Sequence, residues 1–296
     1  MTALQRTAFR CALALMCLLL VSGCSMVRVG YSHIDSVAAW MANDYFDLNA
    51  EQRDEFARRF DRLHAWHRNE QLDDYARFLE EIQVRTKRGL RATDVIWVVD
   101  GLKQRYARIA ATGAADAADL LATLTPAQID AFRQRIDRSN RKFLREHRSD
   151  DGVAARRKAV ERRTLSLLQD WIGPLSDLQE TQVIAMLQKM PLADRLRYDE
   201  RLRRQREFLA LLDQRRGERK VFAQQMYDWL VHWEAGRSAE SAQLFDAAWA
   251  SYAQFYEAFD HLLTPVQRDH LLHQLQDYID AFRELATRRP AATPAR

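Results

Sequence analysis

Residues that turn or break a polypeptide are scarce in this sequence, which has 9 Gly and 6 Pro among 296 residues. β-Sandwiches, doubly wound α/β folds and phosphate-binding loops depend on such residues at their turns. The alternation of apolar and polar residues that marks a β-strand is missing as well. Most of the chain is Ala, Leu, Arg, Gln, Asp and Glu, which together favour helices. We therefore predict an all-α fold of long antiparallel helices in an elongated or bundle-like arrangement.

Cysteine is equally rare, and its three copies, Cys11, Cys17 and Cys24, all lie near the N-terminus. The remainder of the chain therefore has no thiol for a disulfide, a nucleophile or a metal site. Common catalytic motifs are missing too, namely HExxH, G-x-S-x-G, GxGxxG, the Walker loop and CxxC. Ser139-x-x-Lys142 matches a β-lactamase-like pattern, but it has no companion motif. We expect no catalytic residues, no enzyme activity and no cofactor.

One apolar run stands out at the N-terminus. Arg6 and Arg10 precede the apolar residues 11–21, a run that is too short to span a bilayer and typical of an export signal. The run closes on Val21-Ser22-Gly23-Cys24, which resembles the lipobox of bacterial lipoproteins. That resemblance implies cleavage between Gly23 and Cys24 and acylation of Cys24, with palmitate among its chains.

The same resemblance implies a location. Ser25, rather than Asp, follows the cysteine, as in lipoproteins sorted to the outer membrane. More than one acyl chain gives stable attachment, so we expect a lipid-anchored protein that faces the periplasm. The predicted segments are a signal peptide (1–23), an acylated tether (24–31), an N-terminal helical half (32–150), a C-terminal helical half (151–286) and a disordered tail (287–296).

A five-residue pattern, Leu, a small polar residue, two variable positions and Gln, occurs four times. Its copies are Leu48, Asn49 and Gln52; Leu124, Thr125 and Gln128; Leu175, Ser176 and Gln179; and Leu263, Thr264 and Gln267. Asn, Ser or Thr at this place caps the start of a helix, and the Gln completes a capping box. The second and fourth copies share further residues in register, which suggests an internal duplication and two similar halves.

These motifs resemble known families. Paired LTxxQ motifs that open long helices resemble the LTxxQ periplasmic proteins, the Spy/CpxP-like chaperones, which implies a helical cradle for unfolded proteins. The N-terminal part of the chain resembles an uncharacterised proteobacterial lipoprotein family, for which no activity is known. The residues that carry this second resemblance are those from Tyr31 through Trp40, then 44–48, Gln52, 66–68, Leu72, Tyr75 and Ala76.

Positive charge is concentrated in the middle of the chain, where residues 130–220 hold 23 basic and 15 acidic side chains. The candidate binding surface in this region comprises Arg195, Arg197, Arg201, Arg204, Arg215 and Arg219. One interpretation is a solvated helix with ion pairs between successive turns. The other is an electrostatic surface for acidic clients or anionic lipids. We expect no nucleic-acid partner, because the predicted compartment holds none.

His64, His67 and Glu70 follow one another at three-residue steps on a predicted helix. Two histidines on adjacent turns could approach one metal ion, which makes His64 and His67 weak candidates for metal binding. Apolar neighbours at helical spacing, Phe56 and Phe60 among them, favour the alternative of boundary histidines. The last predicted helix carries one apolar stripe, made of Leu271, Leu272, Leu275, Tyr278, Ile279, Phe282 and Leu285.

The sequence therefore favours a non-catalytic binding module, holdase-like toward unfolded envelope proteins. The alternative is an envelope scaffold or assembly factor with one specific protein partner, and a metal-binding sensor is the third hypothesis. The membrane is the expected partner through the lipid anchor. Client, specific partner and oligomeric state stay open at this point.

Overall fold

The computed structural model describes residues 22–147 and 151–287, and these residues form helices joined by short connections, with no strand among them. The predicted all-α fold is confirmed. In chain order the helices are α1 (Ser22–Ser32), α2 (Ile34–Phe46), α3 (Ala50–Glu70), α4 (Leu72–Lys87), α5 (Ala92–Ala122), α6 (Pro126–His147), α7 (Val153–Ile172), α8 (Asp177–Lys189), α9 (Asp194–Asp213), α10 (Arg219–Val231), α11 (Ala239–Asp260) and α12 (Pro265–Thr287).

Helix α5, the longest of the described helices, packs against α3, α4, α10 and α11. Helix α12 runs antiparallel to α4 and forms the most extensive helix pair in the described chain. Gln83 on α4 donates to the carbonyl oxygen of Leu272 on α12 at 3.0 Å. Gly101 allows α4 and α5 to approach closely, because a Cβ there would lie 2.5 Å from the ring of Phe78. The N- and C-terminal parts of the chain are thus packed on each other.

Two main clusters of buried apolar side chains hold the helices together. The first joins Leu48, Leu124 and Phe132 from the first half of the chain to Leu212 and Met226 from the second. The second cluster comprises Leu168, Ile172, Val183, Leu187, Phe255 and Phe259. The first cluster draws on both expected halves, 32–150 and 151–286, which therefore share part of their core.

The expected acylated tether, residues 24–31, lies within the first described helix. The chain is helical from Ser22 to Ser32. Tyr31 is buried in a small cluster with Leu72 and Leu285, which fixes the end of α1 to α4 and α12. Most of the expected signal peptide, residues 1–21, and most of the expected tail, residues 288–296, lie outside the described residues. None of the described helices is long and apolar enough to cross a membrane.

Candidate functional site

The four capping motifs meet in two pairs. In the first pair, Gln52 at the start of α3 and Gln128 at the start of α6 exchange two side-chain hydrogen bonds of 3.2 and 2.6 Å. Each amide oxygen also accepts from the backbone N–H of its own cap, Asn49 or Thr125. Each amide nitrogen donates to a carbonyl oxygen of the partner segment, at Thr123 or Asp47. One side chain thus caps its helix and binds the neighbouring motif.

The second pair repeats this geometry in the other half. Gln179 at the start of α8 and Gln267 at the start of α12 exchange hydrogen bonds of 2.8 and 3.1 Å. Their amide nitrogens donate to the carbonyl oxygens of Leu262 and Pro174. All four glutamines are buried, so each pair locks two helix starts together inside the protein.

The leucines of the motifs also hold the helix starts together. Leu48 and Leu124 are buried in the first apolar cluster, and Leu175 and Leu263 pack against the second. Of the twelve motif residues, Leu263 alone lines the cavity that is described below. The motifs therefore build the scaffold on which that cavity rests.

The candidate arginine surface is divided by internal contacts. Arg215 is only 9% exposed and donates to the carbonyl oxygen of Leu124, and Arg204 lies over the ring of Trp229 at 3.8 Å. Arg201 donates to the side chain of Asn140. These three arginines contact neighbouring helices or their connections, and Arg215 is the buried one among them.

The other three arginines of that set lie on the surface but apart in their contacts. Arg219 pairs with Asp119 at 2.6 Å, and Arg197 donates to the hydroxyl of Tyr252 at 2.9 Å. Arg195 is exposed on the first turn of α9. Arg215 and Arg219 line one small cavity together with Arg216, whereas Arg195, Arg197, Arg201 and Arg204 lie on α9.

The two candidate histidines face the N-terminal helix. His67 lies between two phenols, with its Nδ1 2.9 Å from the hydroxyl of Tyr31 and its Nε2 3.1 Å from that of Tyr75. Burial lowers the pKa of His67 to about 4, so the ring is neutral at pH 7. The ring of His64 packs on Tyr31, with centroids 4.7 Å apart. Among the described residues no group of three His, Cys, Asp or Glu side chains could hold a metal ion.

An apolar cavity of about 810 Å³ lies between α4, α5, α7, α11 and α12. Apart from Thr86, Arg105 and Asp260, every described lining side chain is aliphatic or aromatic. The lining residues are Tyr75, Phe78, Leu79, Ile82 and Thr86 of α4; Val95, Val98, Leu102, Arg105, Tyr106 and Ile109 of α5; Leu167, Leu168, Trp171 and Ile172 of α7; Tyr256, Phe259 and Asp260 of α11; Leu271, Leu275, Tyr278 and Phe282 of α12; and Leu90 and Leu263 of the connections.

The exposed members of this lining mark the opening of the apolar cavity. Leu102 and Tyr106 on α5 and Leu167 on α7 are 56%, 43% and 47% exposed. Deeper in the cavity, Phe259 and Leu275 are buried. Burial also raises the pKa of Tyr256, whose phenol stays neutral. The cavity is thus a half-open apolar pocket with its mouth between α5 and α7.

The two charged lining residues lie at opposite ends. Arg105 is 3.0 Å from Asp74, which also binds Arg108 at 2.6 Å, so two guanidinium groups share one carboxylate. At the other end, Asp260 accepts from Arg268 at 2.8 and 2.9 Å and from the backbone N–H of Leu90. The cavity therefore has a cationic end and an end where a buried carboxylate is fully paired.

Sequence reasoning did not find this cavity. The apolar stripe of α12 supplies four of its lining residues, Leu271, Leu275, Tyr278 and Phe282. The spacing of Tyr75, Phe78, Leu79 and Ile82 on α4 carries the same signal. Helical periodicity shows that such a face is turned inward, but it does not show whether the space opposite is filled.

A comparison with known protein families gives one result. The model of a family of unknown function (DUF6279) matches residues 44–240, about two thirds of the 296-residue chain. The match includes α4, α5 and α7 of the apolar cavity and ends within α11, before the α12 wall. No curated protein and no solved structure matches the chain.

Proposed function

The chain belongs to the family of unknown function DUF6279, and on that premise we propose that it is a non-catalytic binding module that holds an apolar chain in its apolar cavity. The single observation that carries this proposal is the cavity itself. Its volume of about 810 Å³ lies in the range of small-molecule sites, roughly 300–1,000 Å³. Its apolar lining can contact a ligand along its length and remove the apolar surface of that ligand from water, with charged groups only at the ends.

The mouth supports the proposal energetically. Leu102, Tyr106 and Leu167 lie exposed around one opening, where apolar surface in contact with water costs about 25 cal/mol per Å². An apolar chain that enters between α5 and α7 would remove this surface from water. Exposed apolar side chains around a concave site are typical of a binding site.

We further propose that the protein is anchored in the outer membrane through acylated Cys24 and faces the periplasm. An exposed apolar face on the first two helices supports membrane attachment. We call it the α1–α2 face, and it comprises Val29, Ile34, Val37, Trp40 and Met41. It lies 5 to 17 residues after Cys24 in the sequence, and Trp40 is 65% exposed. A partly apolar helix with an exposed Trp is suited to the membrane interface.

Site-resolved photolabelling tests the proposed function with the full-length protein in its own membranes. A fatty acid that carries a diazirine near the end of its chain would be added, activated by light, and mapped by peptide mass spectrometry. We expect labelled peptides from α5, α7 and α12, in addition to label on the α1–α2 face. A Leu167→Glu variant should lose the cavity label, because a carboxylate at the mouth disfavours an apolar ligand.

Leu244→Glu is the matched control, since Leu244 is 52% exposed on α11 and does not line the cavity. It should keep the cavity label. If the label is confined to the membrane-facing surface, or if both variants label equally, the cavity does not bind apolar chains in the membrane and the proposal fails.

Holdase activity is the form of this proposal in which the apolar chain belongs to an unfolded envelope protein. Suppression of aggregation of an unfolded client should then depend on the cavity and fall in Leu167→Glu but not in Leu244→Glu. Suppression that is equal in both variants would place client binding elsewhere. The alternative role as a scaffold or assembly factor predicts capture of one stoichiometric protein partner after crosslinking in membranes.

A further inference from the structure

The charges and length of the apolar cavity point to its ligand class. We infer that it takes a single acyl chain that carries an anionic group, and that Arg105 binds the anion. This inference rests on the proposed function, because it names the ligand of the same site. The shared chemistry is that of a fatty acid carboxylate or the phosphate of a single-chain lipid.

The length of the cavity fits one acyl chain. Its wall on α4 runs from Tyr75 to Thr86, which is about 16 Å of helical rise. The hydrocarbon thickness of one bilayer leaflet, which one acyl chain spans, is about 15 Å. A chain bound along α4 would therefore reach from the Arg105 end to the Asp260 end.

The cationic end is built to receive an anion. The guanidinium of Arg105 lies 3.8 Å over the ring of Phe78, and its Nη1 donates to the carbonyl oxygen of Gly101 at 3.0 Å. Its charge is shared with Arg108 over the single carboxylate of Asp74, which leaves this group of three side chains with a net charge of about +1. Desolvation also lowers the pKa of Arg105, which means that its surroundings do not fully compensate the charge.

The opposite end offers no uncompensated positive charge to an anion. Asp260 is buried, and the guanidinium of Arg268 is engaged by its two carboxylate oxygens and by the carbonyl oxygen of Thr86. A ligand with one charged group therefore has one favourable direction, with its anion at Arg105 and the end of its chain near Asp260.

The Arg105 end also lies beside the helix that leads to the predicted anchor. Tyr75 and Phe282, which line this end, pack in the same small cluster as Tyr31 of α1. The hydrogen bonds from Tyr31 through His67 to Tyr75 continue this contact. An amphiphile from the membrane would thus have its charged group at the end of the cavity nearest to α1.

Competition experiments test the inference with the full-length protein in membranes. Photolabelling of the cavity by the diazirine fatty acid would be competed with palmitic acid, with lysophosphatidic acid and with methyl palmitate. We expect the two anionic competitors to be at least tenfold more effective than the uncharged ester. In Arg105→Gln this difference should disappear, and in Arg105→Lys part of it should return. The relative potency of the carboxylate and the phosphate distinguishes the two sources.

Two further variants keep the test decisive. Arg77→Gln removes an exposed charge from α4, outside the cavity lining, and should leave the preference for anions unchanged. Asp74→Asn removes the competing carboxylate and should strengthen anionic competition several-fold, even if Arg105→Gln does not fold. Equal competition by acid and ester in the native protein, with cavity label present, would overturn the inference and leave the proposed function standing. Absence of cavity label would overturn both.

Discussion

The paired glutamines give the most specific stability prediction. In Gln267→Ala, five hydrogen bonds are lost: two with Gln179, one to the carbonyl oxygen of Pro174 and two from the backbone N–H and the hydroxyl of Thr264. Gln267 is buried, so water does not readily replace these partners. At about 1 kcal/mol for each bond, we expect the free energy of unfolding to fall by about 5 kcal/mol.

A double-mutant cycle separates the pair from ordinary helix capping. Gln179→Ala loses the same two shared bonds together with its own contacts to Ser176 and Leu262. Because the shared bonds are lost only once, the double variant should cost about 2 kcal/mol less than the sum of the single variants. Two independent caps would instead cost about 1 kcal/mol each and would add.

Urea unfolding followed by far-UV circular dichroism measures these free energies. Gln225→Ala is the control, because Gln225 donates to Gln214 at 3.0 Å on the exposed surface. Its free energy of unfolding should change by no more than about 0.5 kcal/mol. Costs that add within about 0.5 kcal/mol for Gln179 and Gln267 would refute the view that the pair acts as one unit.

Three other predictions follow from single side chains. Because burial lowers the folded-state pKa of His67 to about 4, the contribution of the neutral ring to stability is full above pH 6.5 and is lost as the pH falls toward 4. Allowing for partial solvent screening, we expect the free energy of unfolding to fall by about 2 kcal/mol over this range. This loss should be absent in His67→Gln, and an unchanged pH profile in that variant would contradict the prediction. Gly101→Ala should cost about 1–3 kcal/mol in urea unfolding, since its Cβ would displace Phe78 from the cavity wall, and a neutral effect would mean that the ring moves freely. In reconstituted vesicles, lipids that carry a quencher should reduce the fluorescence of Trp40. Trp40→Phe should remove this quenching, and Trp249→Phe should retain it. Equal quenching in both variants would place the α1–α2 face away from the bilayer.

Local chemistry made the helix starts predictable. The capping role of Asn49 with Gln52, or Ser176 with Gln179, depends only on residues three positions apart. The pairing of Gln52 with Gln128 joins residues 76 positions apart and depends on where whole helices pack. No local pattern contains that information.

The arginines show where sequence patterns mislead about solvent exposure. A run of charge on a helix is normally solvent-exposed, which made Arg215 a candidate for a binding surface. In the fold its guanidinium binds the carbonyl oxygen of Leu124 at the end of α5, a group that no sequence pattern marks as unpaired. The apolar cavity was hidden for a similar reason, since Tyr278 and Phe282 have the spacing of ordinary core residues.

Electron paramagnetic resonance of a nitroxide-labelled stearic acid in membranes can show whether the apolar cavity holds one apolar chain. With the full-length protein we predict a strongly immobilised component of the spectrum that saturates at one spin label per protein molecule. Leu167→Glu should remove this component and Leu244→Glu should retain it. An immobilised component that is absent from the native protein, or that is the same in both variants, would contradict the claim.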